Sequence, residues 1–452
     1  MRYFGTDGIR GLANGDVLRP DVIVKIGQAA AQVIRGRCGH SSPTVVIGKD
    51  TRLSGYMIES SLQAAFTSMG FTCLLVGPLP TPAVAMLTRS LRADLGVMIT
   101  ASHNPYHDNG IKFFGPDGVK INGTMVDDVE ALVDNPARLQ LVGPDHIGKA
   151  ERLEDAVGRY IEFVKTSVPS HLRFDGLKLV VDCAHGAAYR IAPRIFWEMG
   201  AEVIKIGTAP DGFNINAGVG ATHPDALADA VRAHGAHLGI ALDGDADRLI
   251  LVDETGAVLD GDVILAAMAQ HLKTHHKLSG GGVVATVMSN MGFEAFLTSL
   301  DLTLHRTAVG DHYVEAGMRT HGCNLGGEQS GHLIFRDYAT TGDGILAALQ
   351  VLAYLADTGK KPSALRALFT PWPQALENIR LAPGAKAADI LAKAPVIAAL
   401  AAAEKALGQD GRVLVRKSGT EPLIRVMVEA RTEEAMRAHL EALVRVIRAA
   451  AG

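Results

Sequence analysis

The chain has 452 residues, room for three or four domains. Hydrophobic residues make up 48 % and charged residues 20 %, enough apolar material for several packed cores. Net charge is only -4, which argues against nucleic acid or a membrane surface as partner, so any anion site has to be built locally.

Cys38, Cys73, Cys183 and Cys323 are scattered and form no metal-like pair, as expected of reduced thiols in a cytoplasmic protein. The start, M-R-Y-F-G-T-D-G, lacks the apolar core of a signal peptide. The alanine-rich run at 396–403 is too short to span a bilayer.

The first loop, F-G-T-D-G-I-R-G, surrounds Asp7 and Arg10 with glycines that permit tight bends, and its arginine can reach an anion. A plain turn explains it equally well. Helical periodicity follows at 21–34, a β-branched strand at 44–48 and a helix at 56–69. A strand at 71–76, a helix ending at Leu91 and a buried strand at 95–100 come next. Strand and helix alternate as in doubly wound α/β folds. The last strand breaks into T-A-S-H-N-P, placing Ser102 and His103 at its end, with Lys112 shortly after. Ligands collect beyond the carboxyl ends of parallel strands.

The alternation restarts with strands at 177–183, 202–206 and 237–242 and helices at 188–199 and 224–233. A hairpin follows at 249–253 and 257–259. A third unit has strands at 282–287 and 303–307 and helices at 292–300 and 343–357. From Pro371 the character changes to two alternating runs, 412–415 and 423–428, and a closing amphipathic helix at 433–449. The expected architecture is α/β: three similar mixed α/β domains, 1–155, 156–255 and 256–370, and a smaller α+β domain, 371–452.

Three further loops carry chemistry. D-G-D-A-D-R sets Asp243, Asp245 and Asp247 at alternate positions after a buried strand. If the segment stays extended, the carboxylates point roughly one way and repel until a cation joins them. Oxygen ligands with room for phosphate and water suit Mg²⁺. A calcium EF-hand is excluded because Arg248 holds the position that needs glycine and the flanks are strands. A solvated acidic turn is the alternative. G-E-Q-S-G-H offers Glu328 and Ser330 to neighbouring sugar hydroxyls and His332 as a proton carrier, although a glycine-rich turn accounts for it too. R-K-S-G-T-E-P offers the Arg416 fork, the Ser418 and Thr420 hydroxyls and the Gly419 backbone to a phosphate, with Arg425 on the next strand. An exposed charged hairpin is its alternative.

Taken in order and spacing, F-G-T-D-G-I-R-G, T-A-S-H-N-P, D-G-D-A-D-R, G-E-Q-S-G-H and R-K-S-G-T-E-P-L-I-R-V resemble the α-D-phosphohexomutase family over essentially the whole chain. Gln329 resembles an amino-sugar branch, since phosphomannomutase and phosphoglucomutase relatives usually carry methionine there. The resemblance implies four domains around one central cleft, and a phosphoryl group carried on Ser102. It implies Mg²⁺ held by Ser102, Asp243, Asp245 and Asp247. Arg10, His103, Lys112 and Arg248 are implied to serve the reacting phosphate, with Lys112 a general acid or base. Glu328, Ser330 and His332 are implied at the sugar. Arg416, Ser418, Gly419, Thr420 and Arg425 are implied at the far phosphate. The partner is a small sugar phosphate, with no nucleic acid or membrane, and a homodimer is left open. A phosphomannomutase or phosphoglucomutase, or a silent sugar-phosphate sensor on the same scaffold, are the alternative readings. One departure is His312, where the resemblance leads to arginine after V-G-D.

Overall fold

The structure is a computed structural model that describes residues 3–5, 7–382, 385–417 and 423–451. The chain forms two compact units, 1–288 with 300–368, and 289–299 with 369–452.

In the first unit, seven strands form one mixed sheet. Their order is Phe4–Gly5, Gly8–Leu12, Asp108–Phe114, Leu95–Ile99, Thr44–Lys49, Thr72–Pro78 and Ala150–Arg152. Leu95–Ile99 runs parallel to Thr44–Lys49 on one side and antiparallel to Asp108–Phe114 on the other. All five of its residues are buried. Such a strand reads as a continuous apolar run, which is how the sequence shows it. The helix Pro20–Arg35 starts on a proline, which needs no N–H partner at that position, and buries Ile23, Ile26 and Ile34 at helical spacing.

A second sheet has the order Val258–Leu259, Leu249–Asp253, Leu238–Leu242, Lys178–Asp182, Glu202–Ile206. A third has the order Thr303–Thr307, Gly282–Thr286, Leu325–Gly327, Leu333–Phe335. The three sheets repeat one junction. A buried strand, parallel to its inner neighbour, turns into an antiparallel partner: Leu95–Ile99 into Asp108–Phe114, Leu238–Leu242 into Leu249–Asp253, and Leu325–Gly327 into Leu333–Phe335. Each of these turns is one of the chemistry-bearing loops.

A half-buried and a buried aspartate start two further helices of this unit. Asp260 accepts from Val263 N at 3.1 Å to cap Gly261–Thr274, and Asp343 accepts from Ile345 N and Leu346 N at 3.1 and 2.9 Å to cap Gly344–Thr358. Gly359, with φ 62°, ends the second helix in the left-handed conformation that glycine takes most easily.

In the second unit, Leu423–Ala430 lies between Gln374–Arg380 and Gly411–Lys417, antiparallel to both. Glu433–Ala451 and Ala394–Leu407 cover this sheet, burying Val396, Ile424, Val426, Leu443 and Ile447 in one core. The alanine run at 396–403 is therefore part of a helix of this α+β unit. The helix Met291–Ser299 belongs here as well: Met291 N donates to Glu429 Oε1 at 2.7 Å, and Arg412 Nη2 donates to Ser289 O at 2.6 Å. No helix among the described residues is long and apolar enough to cross a membrane.

Candidate active site

The strand Leu95–Ile99 ends in a turn that holds Ser102 at φ 50°, a left-handed conformation that costs a side-chain-bearing residue on the order of 1–3 kcal/mol. Its surroundings fix that conformation. Ser102 N donates to Thr100 Oγ1 at 2.8 Å, and Ser102 O accepts from Arg52 Nη2 at 3.1 Å and Asn216 Nδ2 at 2.9 Å. Gly244 packs against the same carbonyl so closely that a Cβ there would lie 2.5 Å from it. Glycine is required for that approach.

The Ser102 hydroxyl donates to Asp243 Oδ2 at 2.6 Å, and His103 Nδ1 lies 3.5 Å from Ser102 Oγ. Burial, with Arg248 and Arg10 nearby, lowers the His103 pKa to about 3, so the ring stays neutral at physiological pH. The aspartate loop is not extended as expected. It turns tightly, with Ala246 at φ 57°, and this curl rather than strand alternation brings the three carboxylates together. One oxygen from each of Asp243, Asp245 and Asp247 lies within 4.8 Å of the others, and all three residues are buried. Burial, and then Asp247 and Asp245, push the Asp243 carboxyl well above the usual range.

Lys112, on the strand Asp108–Phe114, is 1 % exposed. Its Nζ lies 3.0 Å from Asp245 Oδ2, 3.1 Å from Asp247 Oδ2 and 3.2 Å from Asp7 Oδ2. Burial opposes its charge, but the three carboxylates prevail and hold it as an ammonium well above the ordinary lysine range. Burial also acts to raise Asp245 and Asp7. Lys112 outweighs it at Asp245, which is lowered; Lys112 and Lys120 together bring Asp7 to about 2. Asp245 Oδ1 and Asp247 Oδ1 are buried without a hydrogen-bond partner among the described residues. Buried carboxylate oxygens left this way fit a metal ion, which takes oxygen ligands in place of hydrogen bonds.

Arg10 Nη2 donates to Asp7 Oδ2 at 2.5 Å. Arg248 is held charged against burial by Asp243, Asp247 and Glu328. A bridge between Arg248 and His332 joins the aspartate loop to the G-E-Q-S-G-H loop. There, Ser330 Oγ donates to Glu328 Oε2 at 3.3 Å, and Glu328 Oε1 accepts from Gly310 N at 3.1 Å. His332 Nε2 accepts from Gly342 N at 3.3 Å, and its Nδ1 is buried without a partner among the described residues. His312, at the position where arginine was expected, lines a cavity of about 20 Å³ with Lys120, Asp311, His332 and Thr341.

Ser102, His103, Arg10, Lys112, the three aspartates, Arg248, Glu328, Ser330 and His332 thus gather in the first unit. In the second, Arg416 faces Arg425 across the strand pair, and burial followed by Arg425 lowers its pKa. Ser418, Gly419 and Thr420 lie outside the described residues.

Six further residues belong to this constellation. Thr81 Oγ1 donates to Asp245 Oδ2 at 2.6 Å. Arg52 and Asn216 also hold Asn104 O, at 2.5 and 3.1 Å. Lys120 pairs with both Asp7 and Asp311. The glycines around Asp7 were the one local hint among them; the others become neighbours only through folding.

Four family descriptions match the chain. Phosphoglucomutase/phosphomannomutase alpha/beta/alpha domain I matches residues 1–139, domain II 158–256, domain III 260–372 and the C-terminal domain 376–446. A relative from Paramagnetospirillum magneticum named phosphoglucosamine mutase is 55 % identical over 452 residues, all of this chain and 99 % of the relative. One of the same name from Rhodospirillum centenum is 58 % identical over 96 % of this chain and 92 % of its own. A phosphoglucomutase/phosphomannomutase family structure from Burkholderia thailandensis superposes with TM-score 0.83 at 26 % identity, covering 99 % of this chain and 97 % of that one. The N-acetylphosphoglucosamine mutase of Aspergillus fumigatus shares the fold at TM-score 0.67 and 18 % identity, covering 100 % of this chain and 96 % of that one. Four domain matches in order, and full-length relatives above half identity, converge on one conclusion: the chain belongs to the phosphoglucomutase/phosphomannomutase family, in the branch whose members are named phosphoglucosamine mutase.

Proposed function

We propose that the chain interconverts glucosamine 6-phosphate and glucosamine 1-phosphate through a phosphorylated Ser102 and a bound 1,6-bisphosphate. The observation that carries this reading is the Ser102 hydroxyl bonded to the aspartate loop beside the buried Lys112 ammonium. Family membership supplies the reaction class, and the names of the full-length relatives point to the amino sugar.

In-line phosphoryl transfer asks the protein for position and charge neutralisation. The free sugar hydroxyl attacks the phosphorus on Ser102, the bond from phosphorus to Oγ breaks, and Oγ regains a proton. The other phosphate of the bisphosphate then returns to Ser102 by the reverse steps. A neutral hydroxyl is a poor nucleophile and needs a base nearby. His332, whose Nε2 accepts from Gly342 N, keeps its proton on Nδ1, which has no partner among the described residues and can offer it to an oxygen of the bound sugar phosphate. Lys112, the general acid or base that the family resemblance implies, offsets phosphate charge with Arg10 and Arg248. His103 is neutral and contributes a hydrogen bond to Oγ rather than charge. Asp243, Asp245 and Asp247 would hold a divalent cation, Mg²⁺ by its preference for oxygen, which would supply charge withdrawal at the phosphate. Glu328 and Ser330 bind sugar hydroxyls; Arg416, Arg425 and the 418–420 segment bind the phosphate that is not reacting.

The same reading places the enzyme in the cytoplasm, with the domain limits at 155, 255 and 370. A coupled assay comparing glucosamine and glucose phosphates tests it. A specificity constant that favours the glucosamine esters supports the assignment; preference for glucose or mannose phosphates replaces it with the corresponding mutase.

A further inference from the structure

Two histidines and an aspartate stand apart from the site above. His271 and His275 close the helix Gly261–Thr274 one turn apart, with His275 N donating to His271 O at 3.1 Å. That spacing puts both rings on one helix face, their centroids 4.5 Å apart. Asp357, in the last turn of Gly344–Thr358, faces them. Its Oδ2 lies 3.2 Å from His275 Nε2 and 4.0 Å from His271 Nδ1. The three donor atoms lie within 4.8 Å of one another. The His271, His275 and Asp357 side chains are 21 %, 42 % and 53 % exposed, so an ion can reach them from solvent. The His271 ring packs edge-on against Tyr354 at 5.3 Å, which limits its rotation.

Two imidazoles and a carboxylate suit borderline ions such as zinc, cobalt or nickel, whereas Mg²⁺ prefers all-oxygen sites. A tetrahedral ion with bonds of about 2.0–2.1 Å wants its donors about 3.3 Å apart. With the His271 ring seated against Tyr354, rotation of the more exposed His275 and Asp357 side chains would bring the spacing toward that value. We propose that His271, His275 and Asp357 form a binding site for a borderline divalent cation, zinc foremost, with its fourth position open to water.

The place of the site in the fold gives it a role. The opposite ends of the same two helices hold the catalytic loops. At one, Gly261 N donates to Gln329 O at 3.0 Å, Asp260 Oδ2 accepts from Gln329 Nε2 at 3.1 Å, and a Cβ on Gly261 would sit 2.0 Å from Glu328 O. At the other, Gly344 N donates to Ala246 O at 3.0 Å. An ion bridging the far ends acts roughly 20 Å away, the length of a 14-residue helix. It fastens the two helices without touching substrate, so its effect falls on stability.

The test is a Co²⁺ titration of the full-length protein in excess Mg²⁺, followed by visible absorption and by Zn²⁺ displacement, with melting midpoints measured alongside. Cys38, His40 and Asp94 form another close group, so Cys38→Ser is the control. One Co²⁺ equivalent is expected in wild type and in Cys38→Ser, displaced by Zn²⁺, and lost in His275→Ala and Asp357→Ala. Zn²⁺ is expected to raise the melting midpoint of wild type and not of His275→Ala. The exposed His275 makes that variant safe to fold, and its midpoint without Zn²⁺ checks this. Absence of the equivalent from wild type, or its undiminished retention in His275→Ala, overturns the site.

Discussion

The Ser102 hydroxyl and the Asp243 carboxylate, 141 residues apart in the chain, are joined by one hydrogen bond of 2.6 Å. The proposed phosphoryl carrier and the proposed metal loop therefore meet through the atom on which that reaction depends. Ser102→Ala is expected to abolish turnover. Intact-mass measurement of active wild type should show a phosphorylated fraction that the alanine variant lacks. Full activity in that variant would end the phosphoserine mechanism.

Asp245 accepts from both Thr81 and Lys112 through Oδ2, while Oδ1 has no partner among the described residues. Chelation should stop turnover and Mg²⁺ restore it. Asp245→Asn should weaken metal affinity strongly, because it removes one of the anionic oxygens and leaves Lys112 with less compensation. Equilibrium dialysis or calorimetry with Mg²⁺ reads this directly. A chelated sample that kept its rate would leave the aspartate loop without a metal role.

Arg416 is the described fork of the C-terminal loop, placed opposite Arg425 in the strand pair. A charge-assisted hydrogen bond contributes on the order of 1.5–3 kcal/mol. Arg416→Ala should therefore cost roughly ten- to hundredfold in specificity constant, at about 1.4 kcal/mol per factor of ten. The equilibrium constraint makes the factor equal in both directions, so its size is the test. Ser102 phosphorylation should survive, and an unchanged constant would reduce the loop to a charged hairpin.

Asp343 is a buried cap whose two oxygens both accept from the Tyr160 hydroxyl at 2.9 Å. Burial pushes its carboxyl up to about 6. A raised carboxyl favours the folded state only while it is protonated. Its contribution is full below the unfolded value near 4, is lost as pH rises to about 6, and stays lost above. Asparagine keeps a capping oxygen without the charge. Asp343→Asn should match wild type near pH 4 and gain on it up to pH 6, by at most roughly 3 kcal/mol at 1.36 kcal/mol per unit. Denaturation midpoints at pH 5 and pH 8 check this: the variant's advantage must be larger at pH 8.

The sequence revealed whatever rests on local chemistry. Buried strands such as Leu238–Leu242 show as apolar runs, and the catalytic loops show as polar breaks between them. The helix Gly261–Thr274 did not stand out, because Gly261 through Ala269 are buried without interruption and leave no amphipathic stripe. The strand Asp108–Phe114 was hidden by its polar first half, where Asn109 is buried but hydrogen-bonds to Ser54. In the site, Ser102 and the aspartates were visible as motifs. Thr81, which touches Asp245 from 164 positions away, has no local signature. Nor could the sequence show that Lys112 serves three carboxylates at once, since only the sheet puts Asp7 beside it.

The repeated junction of the three sheets has an evolutionary consequence. Each catalytic loop is clamped at both ends by a hydrogen-bonded strand pair of its own sheet. Residues can be exchanged within such a loop without shifting the register of the strands that anchor it. On the proposed function, sugar contacts would lie between Gly327 and Leu333, held by a strand pair distinct from the one that anchors the aspartate loop and tied to that loop by the Arg248–His332 bridge. If that reading holds, substitutions at the sugar loop that spare the bridge would change which hexose fits while leaving the phosphate-handling loop in place.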